Sequence, residues 1–385
     1  MKPLKILNII NTVHPETGGV LEWVLQYGLA AQAAGHDIHM ASMDDPAAEF
    51  VAQFPLPIHA LGSQAKMFWS SGLINFLKAH AAEYDAVIAH GLWRFSSYGT
   101  RLGLKGQKTP YFLYTHGMLD PWFNKAYPLK TVFKKLYYPF TEYPALRDAR
   151  GVIFTCQEEQ RLAATSFAPY KVNPMVLPLG IVSPPSNVDG QRDAFFAQYP
   201  ELNGKRLLLF ISRIHPKKGC DLLLDAFAKV ADSNPELHLV MAGPDQTGWV
   251  VKLQEQAQAL GIADRVTWTG MITGDVKWGA FRAAEAFVLP SHQENFGFVV
   301  VEAMACGTPV LISDKVNIHT EVTQAGAGLV ETDDADGTLR LLTRWLALNG
   351  EERQTLGQNG LEGFQHRFEI SQAAQNLMHA ITASL

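Results

Sequence analysis

Short, nearly unbroken apolar runs alternate with longer amphipathic stretches along the whole chain. Such runs, bounded by turn residues, are the sequence form of strands buried on both faces, and the amphipathic stretches between them read as crossover helices. The pattern predicts strands at Leu4–Asn11, Ile38–Ala41, Ala86–Ala89, Tyr111–Tyr114, Val152–Thr155 and Met175–Leu177, and a helix over Val20–Ala34 stopped by Gly35. Breakers then crowd into Val182-Ser183-Pro184-Pro185-Ser186-Asn187, the best linker candidate. Beyond it the rhythm restarts, with strands at Leu207–Ile211, Leu237–Ala242, Val266–Thr269, Ala286–Leu289 and Val310–Ile312. Helices are expected at Asp221–Val230 and Phe298–Ala305, and from about Ala335 the tail reads as nearly all helical. Repeated strand–helix units predict an α/β protein with two doubly wound parallel sheets. In such sheets ligands sit at the carboxyl ends of the strands.

Composition narrows the classes. A chain of 385 residues suits two domains, and 47% hydrophobic residues can fill their cores. The net charge of −5 argues against nucleic acid as the main partner. Cys156, Cys220 and Cys306 are odd in number and far apart, with neither metal-ligand spacing nor a disulfide framework, which points to a reducing cytoplasm. The opening Met1–Ile10 reads as a strand rather than a signal peptide, and no run of about 20 apolar residues suggests a membrane span.

The most informative stretch is Ser291-His292-Gln293-Glu294-Asn295-Phe296-Gly297-Phe298-Val299-Val300-Val301-Glu302. It joins the strand Ala286–Leu289 to the helix that ends before Cys306-Gly307-Thr308-Pro309. Glu294 in the loop and Glu302 two turns into the helix bracket a helix N-terminus, whose free N–H groups and positive dipole end suit a diphosphate. Carboxylates on either side can grip hydroxyls, so the physical reading is a sugar–diphosphate–ribose ligand. A second cluster, Ser212-Arg213-Ile214-His215-Pro216-Lys217-Lys218-Gly219, also follows a strand and opens a helix. Arg213 offers a planar fork and Lys218 a reaching point charge for a departing diphosphate. The rival route is a metal on Asp334-Ala335-Asp336, but that triplet reads as a helix N-cap, so no metal is expected.

The two clusters resemble the E-x7-E and R-x4-K signatures of the retaining glycosyltransferases of family 4, which have the GT-B fold of two Rossmann-like domains facing a central cleft. The resemblance covers nearly the whole chain and is tightest from about residue 205 to 312. It implies an N-terminal acceptor domain over 1–185, a C-terminal nucleotide-sugar donor domain over 190–365, and a final helix within 366–385 crossing back to the first domain. It also implies a UDP-sugar donor, glucose first among the hexoses, with no cofactor beyond the donor. Glu302 is expected on the ribose hydroxyls and Glu294 on the donor sugar. Backbone groups of Phe296, Gly297 and Phe298 are expected at the sugar and β-phosphate, and the Gly243 and Met271 loops at the nucleobase. Gly18 and Gly19, in Thr12-Val13-His14-Pro15-Glu16-Thr17-Gly18-Gly19-Val20, resemble the family's first glycine-rich loop, which faces the diphosphate from the opposite domain. G-x-G-x-x-G, the dinucleotide fingerprint, is missing there. His116 matches the family's active-site His near the reacting carbon, and His90 and His14 have similar settings suited to acceptor binding. Retention implies front-face attack, because no first-domain carboxylate stands out as a nucleophile; Glu16 and Asp120 are the nearest candidates.

Residues 121–138 carry four Lys, six aromatics and no acidic residue. Two readings fit: a basic aromatic face meeting an anionic membrane or a lipid-linked saccharide acceptor, or a helix with lysines outward and aromatics inward. Lys66–Leu77 is a second apolar candidate. The N-terminal half resembles bacterial members that build extracellular polysaccharide on lipid carriers, such as those of the heterocyst envelope. A nucleotide-sugar epimerase and a non-catalytic sugar-nucleotide binding module remain as alternatives.

Overall fold

A computed structural model describes residues 2–62 and 70–385. The chain forms two compact units, one of residues 1–182 and 369–385, the other of 183–368. The boundaries, at 182/183 and 368/369, lie within a few residues of the expected 185–190 and 365/366. Backbone pairing explains the placement: Ile181 bridges Glu369, and the Ile370 amide donates to the Ile181 carbonyl at 2.9 Å, tying both crossings into the first unit.

The first unit holds a seven-stranded parallel sheet of order β3-β2-β1-β4-β5-β6-β7. Its strands are β1 Lys5–Ile9, β2 Asp37–Ser42, β3 Ile58–Ala60, β4 Ala86–His90, β5 Tyr111–Tyr114, β6 Gly151–Phe154 and β7 Pro174–Val176. The second unit holds a six-stranded parallel sheet of order β10-β9-β8-β11-β12-β13. Here the strands are β8 Arg206–Ile211, β9 Leu237–Ala242, β10 Val266–Gly270, β11 Ala286–Leu289, β12 Val310–Ser313 and β13 Gly328–Glu331. Central strands such as β4, β5, β6, β9, β11 and β12 are buried at every residue, which is why they read as unbroken apolar runs. Helices cover these sheets. Phe210, Phe227, Phe281, Phe287 and Trp345 fill the second core, and burying each stabilises by about 1.5–3 kcal/mol. In the first unit the final helix, Ile370–Ser384, buries Ile370, Ala373, Ala374, Leu377, Met378 and Ile381 at helical spacing and packs on the helix Gly19–Ala33.

In each sheet the strand order reverses once, between β1 and β4 and between β8 and β11. These switch points open a crevice at the carboxyl ends of the flanking strands, where doubly wound sheets bind ligands. The loops that carry Gly18 and Gly19, His116, Arg213 and Lys218, Gly243, and Glu294 follow one of these strands or an immediate neighbour, whereas Met271 follows β10, one strand further out. The Lys66–Leu77 stretch is partly outside the described residues. Its remainder lies in the helix Ser71–His80, whose Leu73, Ile74 and Leu77 are buried, so these side chains serve the core rather than a surface contact.

Candidate active site

In the second unit, the loops after β8 and β11 are sewn together. The loop after β8 turns once at Pro216–Lys218, with His215 Nδ1 accepting from the Lys217 amide at 3.1 Å. Gly219 then takes φ +66° and starts the helix Cys220–Ala231; a Cβ there would lie 2.2 Å from the Pro290 carbonyl oxygen, so only glycine lets the loops meet. Across that seam the His292 amide donates to the Lys217 carbonyl at 2.8 Å and Ser291 Oγ to the same oxygen at 3.0 Å.

This seam brings Lys218 to Glu294. Lys218, a residue only 4% exposed, forms an ion pair through its ammonium with Glu294 Oε2. Glu294 is fixed through its backbone as well: its amide donates to the Lys315 carbonyl at 3.0 Å and its carbonyl accepts from the Asn317 amide at 2.9 Å. Gly297, at φ +74°, is the N-cap of the helix Phe298–Ala305, and no side chain caps that end. The Val300 and Val301 amides donate to the Gly297 carbonyl at 2.8 and 3.4 Å, and the helix's first two amides, of Phe298 and Val299, with its positive dipole end, adjoin the loop that carries Glu294. Phe296 is buried edge-to-face against Phe298 and Phe368, so its side chain anchors the loop and leaves only the backbone for a ligand.

Glu302, on the same helix, meets Lys277 Nζ at 3.0 Å. Lys277 also lies 4.2 Å from the Trp278 ring centroid. One carboxylate has about four acceptor sites, so Glu302 can hold Lys277 and still accept two hydroxyls. Arg213 is exposed, and no side chain among the described residues engages its guanidinium. Partial burial, then the charges of Arg213, Lys217 and Lys218, hold the His215 imidazole below its usual pKa, a sign of the positive field in this loop. The loop after β9 closes on the loop after β8: a Cβ on Gly243 would lie 1.7 Å from the Ser212 carbonyl oxygen, and the Ile214 amide donates to the Pro244 carbonyl at 3.0 Å. Met271, after β10, is 71% exposed. Asp334 accepts from the Gly337 amide at 2.7 Å and caps the helix Ala335–Ala347, the role its position suggested. Among the described residues no group of three or more His, Cys, Asp or Glu is placed to hold a metal.

In the first unit, Gly18 has φ +91° and precedes the helix Gly19–Ala33, which has no side-chain cap. The loop before it is held by Asp44, which accepts from Thr12 Oγ1 at 2.6 Å and from the Val13 amide at 2.8 Å. Val13, Pro15, Gly18, Leu21, Glu22 and Phe50 help line a cavity of about 410 Å³ beside the loop. His14 and Glu16 are exposed, and Asp120 is buried, its carboxylate accepting from the Trp122 amide at 2.8 Å. His116 follows β5 at φ +49°, an uncommon conformation outside glycine. Buried Glu159 enforces it. Its carboxylate accepts from the Gly117 amide and Thr115 Oγ1, both at 2.6 Å, and from the amide and hydroxyl of Thr155, both at 2.7 Å.

His116 heads a side-chain relay. Its Nε2 lies 3.1 Å from His90 Nδ1, and His90 Nε2 lies 3.0 Å from Asn8 Oδ1. Asn8 Oδ1 can only accept, so His90 Nε2 carries a proton, His90 Nδ1 accepts, and His116 Nε2 donates to it. That leaves His116 Nδ1 as a bare acceptor. Burial pushes His116 down to about 3 and takes His90 well below the usual histidine range, with His116 adding to the second effect, so both rings are neutral near pH 7. Asp44, Asn8, Glu159 and Lys277 all escaped the sequence reading, because each acts on a residue far away in the chain.

Comparison with known proteins agrees with this geometry. Residues 191–362 match the family described as Glycosyl transferases group 1, and residues 18–180 match the Glycosyl transferase 4-like domain. A D-inositol 3-phosphate glycosyltransferase from Thermomonospora curvata is 39% identical over 146 residues, 36% of this chain and 34% of that protein. A mannosylfructose-phosphate synthase from Agrobacterium fabrum is 28% identical over 270 residues, 64% of this chain and 57% of that protein. The chain thus spans between about a third and rather more than half of these curated relatives. Among solved structures, a glycosyltransferase from Rickettsia africae aligns with TM-score 0.78 and 13% identity over 100% of this chain and 99% of that one. Anabaena HepE in complex with UDP and glucose aligns with TM-score 0.75 and 20% identity over 99% and 100%. These two likenesses establish the fold, two parallel-sheet Rossmann-like units of the GT-B kind. Each unit thus matches a glycosyltransferase family, the second the glycosyl transferases of group 1 and the first the glycosyl transferase 4-like domain.

Proposed function

We propose that this protein transfers a hexosyl group, glucose first among the candidates, from a nucleoside-diphosphate sugar to a saccharide or lipid-linked saccharide acceptor in cell-surface polysaccharide synthesis. The observation that carries the reading is the nearly buried Lys218 paired with Glu294 at the switch point of the second sheet, beside the uncapped helix start at Gly297. A held cation and a helix N-terminus are what a departing diphosphate needs. UDP is the first candidate donor because it is the commonest in the resembled family.

In this reading Arg213 and Lys218 take the diphosphate charge, and Glu302 accepts the ribose hydroxyls. Glu294 accepts donor-sugar hydroxyls and faces the positive charge that develops at the ring. Backbone groups of Phe296, Gly297 and Phe298 serve the sugar and β-phosphate, and those of the Gly243 and Met271 loops serve the base. The roles expected of Gly18, Gly19 and His116 carry over, with His116 offering its bare Nδ1 to a sugar hydroxyl. The anomeric C–O bond breaks toward the diphosphate, the acceptor oxygen bonds from the same face, and its proton passes to the departing phosphate oxygen. The configuration is retained, and the protein supplies position and charge without a metal.

The test is transfer from labelled UDP-glucose, with chelator present, to the acceptor fraction of a lipid extract, with the anomeric configuration of the product read by NMR. Glu294→Ala is expected to abolish transfer while nucleotide binding survives. Turnover near the parent level would sink the assignment of Glu294. An epimerase would instead interconvert sugar nucleotides with no acceptor present.

A further inference from the structure

The helix Pro128–Tyr137 in the first unit is amphipathic the wrong way round. Leu129, Val132, Phe133 and Leu136 stand at i, i+3, i+4 and i+7, a stripe covering about 100° of the helix, which in a globular protein normally faces the core. Here it faces outward: Leu129 is 79% exposed, Val132 57%, Phe133 68% and Leu136 66%, and Phe140 extends the patch at 75%. The inward side is held by polar residues instead. Thr131 is buried and donates to the Tyr127 carbonyl at 3.0 Å, and Lys134 lies 4.2 Å from the Trp93 ring centroid.

Charge accompanies the patch. Lys130 and Lys135 flank the stripe at about 110° on either side by helical geometry, and Lys125 precedes it; all three are exposed. The nearest acidic residues in the chain, Asp120 and Glu142, are both buried, so residues 120–142 present no exposed carboxylate in a protein whose net charge is −5. A face of aliphatic and aromatic side chains rimmed by lysines matches a bilayer containing anionic lipid, with apolar groups entering the acyl boundary and ammonium groups at the phosphates. Pairing with a second copy through this face would set like lysines against one another, because a two-fold contact matches a patch with itself. A nucleic acid would leave the aliphatic stripe in water.

We infer that the face formed by Leu129, Val132, Phe133, Leu136 and Phe140 adsorbs this protein to the surface of anionic membranes. Adsorption is independent of the transfer reaction, and failure of one leaves the other standing.

Flotation of the full chain with phosphatidylcholine vesicles, with and without phosphatidylglycerol, tests it directly. The protein floats with the phosphatidylglycerol vesicles and stays behind with phosphatidylcholine alone, and added salt weakens the association. Phe133→Asp with Leu136→Asp lowers the partition coefficient by roughly tenfold or more. Lys130→Glu with Lys135→Glu lowers it by about fivefold or more per lysine and removes the preference for phosphatidylglycerol. All four side chains are solvent-exposed, so circular dichroism and melting curves are expected to match the parent. Undiminished flotation of the Asp variant overturns the inference, as does absence of flotation by the parent. So does a concentration-dependent dimer, seen by sedimentation without lipid, that the Asp variant abolishes.

Discussion

Lys218→Met and Glu294→Gln, singly and together, separate scaffolding from catalysis at one ion pair. Lys218 has only 5% of its side chain exposed, whereas Glu294 has 22%. Lys218→Met leaves a carboxylate that water can still reach, and is expected to cost about 1–2 kcal/mol of stability. Glu294→Gln strands a nearly buried ammonium, at about 3–5 kcal/mol. The double variant leaves no uncompensated charge, so its loss falls short of the sum by a coupling of about 1–3 kcal/mol. Activity follows a different rule. A preorganised cation facing a departing diphosphate is worth about 2.7–4 kcal/mol in the barrier, a factor of about 10²–10³ in kcat. Each single variant is expected to lose that much, and the double variant stays at that floor although its stability partly returns. Urea denaturation gives the stabilities, and initial rates of nucleotide release at saturating donor give kcat, all where every variant is fully folded. Rates that recover in step with stability would show the pair to be scaffolding, and the catalytic assignment of Lys218 would be refuted.

The His116 relay predicts that Asn8→Asp, which keeps an acceptor for His90 Nε2, retains kcat, while Asn8→Leu loses about tenfold or more; the reverse order would show that the protons run the other way. Acid should destabilise the protein through the same two rings. The unfolded chain takes up protons near about pH 6.5, and the folded rings stay neutral until far lower pH, about 3 for His116, so the unfolded state binds more protons as pH falls. Stability then declines below about pH 6.5 by up to about 1.4 kcal/mol per pH unit for each ring, and His90→Asn should flatten denaturation midpoints measured between about pH 6.5 and 5.5. An unchanged slope would count against neutral burial. Glu159→Gln turns an amide N–H₂ toward donors that a carboxylate oxygen now serves, and is expected to cost about 2–3 kcal/mol by urea denaturation and to lower transfer in the folded protein, since His116 loses its loop support; a silent variant would contradict that support.

Much of this was legible in the order of residues, and the exceptions have physical causes. Central strands were found because burial on both faces demands unbroken apolar runs. The edge strands β3 and β13 escaped notice because every residue in them is only half-buried, so Ile58-His59-Ala60 and Gly328–Glu331 carry no such demand. The clusters Arg213–Lys218 and Glu294–Glu302 stood out because each is one loop between a strand and a helix, with its spacing written locally. Their supporting partners are remote: Lys277 lies 25 positions from Glu302 and Glu159 42 from Gly117, and only the fold brings them together. The orientation of residues 129–136 was beyond reach for another reason. Helical periodicity defines an apolar face but not the direction it points: Lys130 and Lys135 on this helix face outward and Tyr138 just after it is buried, as one of the two readings had it, but Phe133 and the aliphatic stripe are exposed as well.

The central claim is that the second unit binds a nucleoside diphosphate without metal. Thermal unfolding of the purified protein in chelator, with UDP, GDP, ADP or NAD added in turn, tests it most directly. A ligand present at about 100 times its dissociation constant stabilises the folded state by about 2.7 kcal/mol. The account predicts a rise in melting temperature with one nucleoside diphosphate, UDP first, none with NAD, and its loss in Lys218→Met and Glu302→Ala. No shift with any nucleotide, or a shift that needs an added divalent cation, would contradict it.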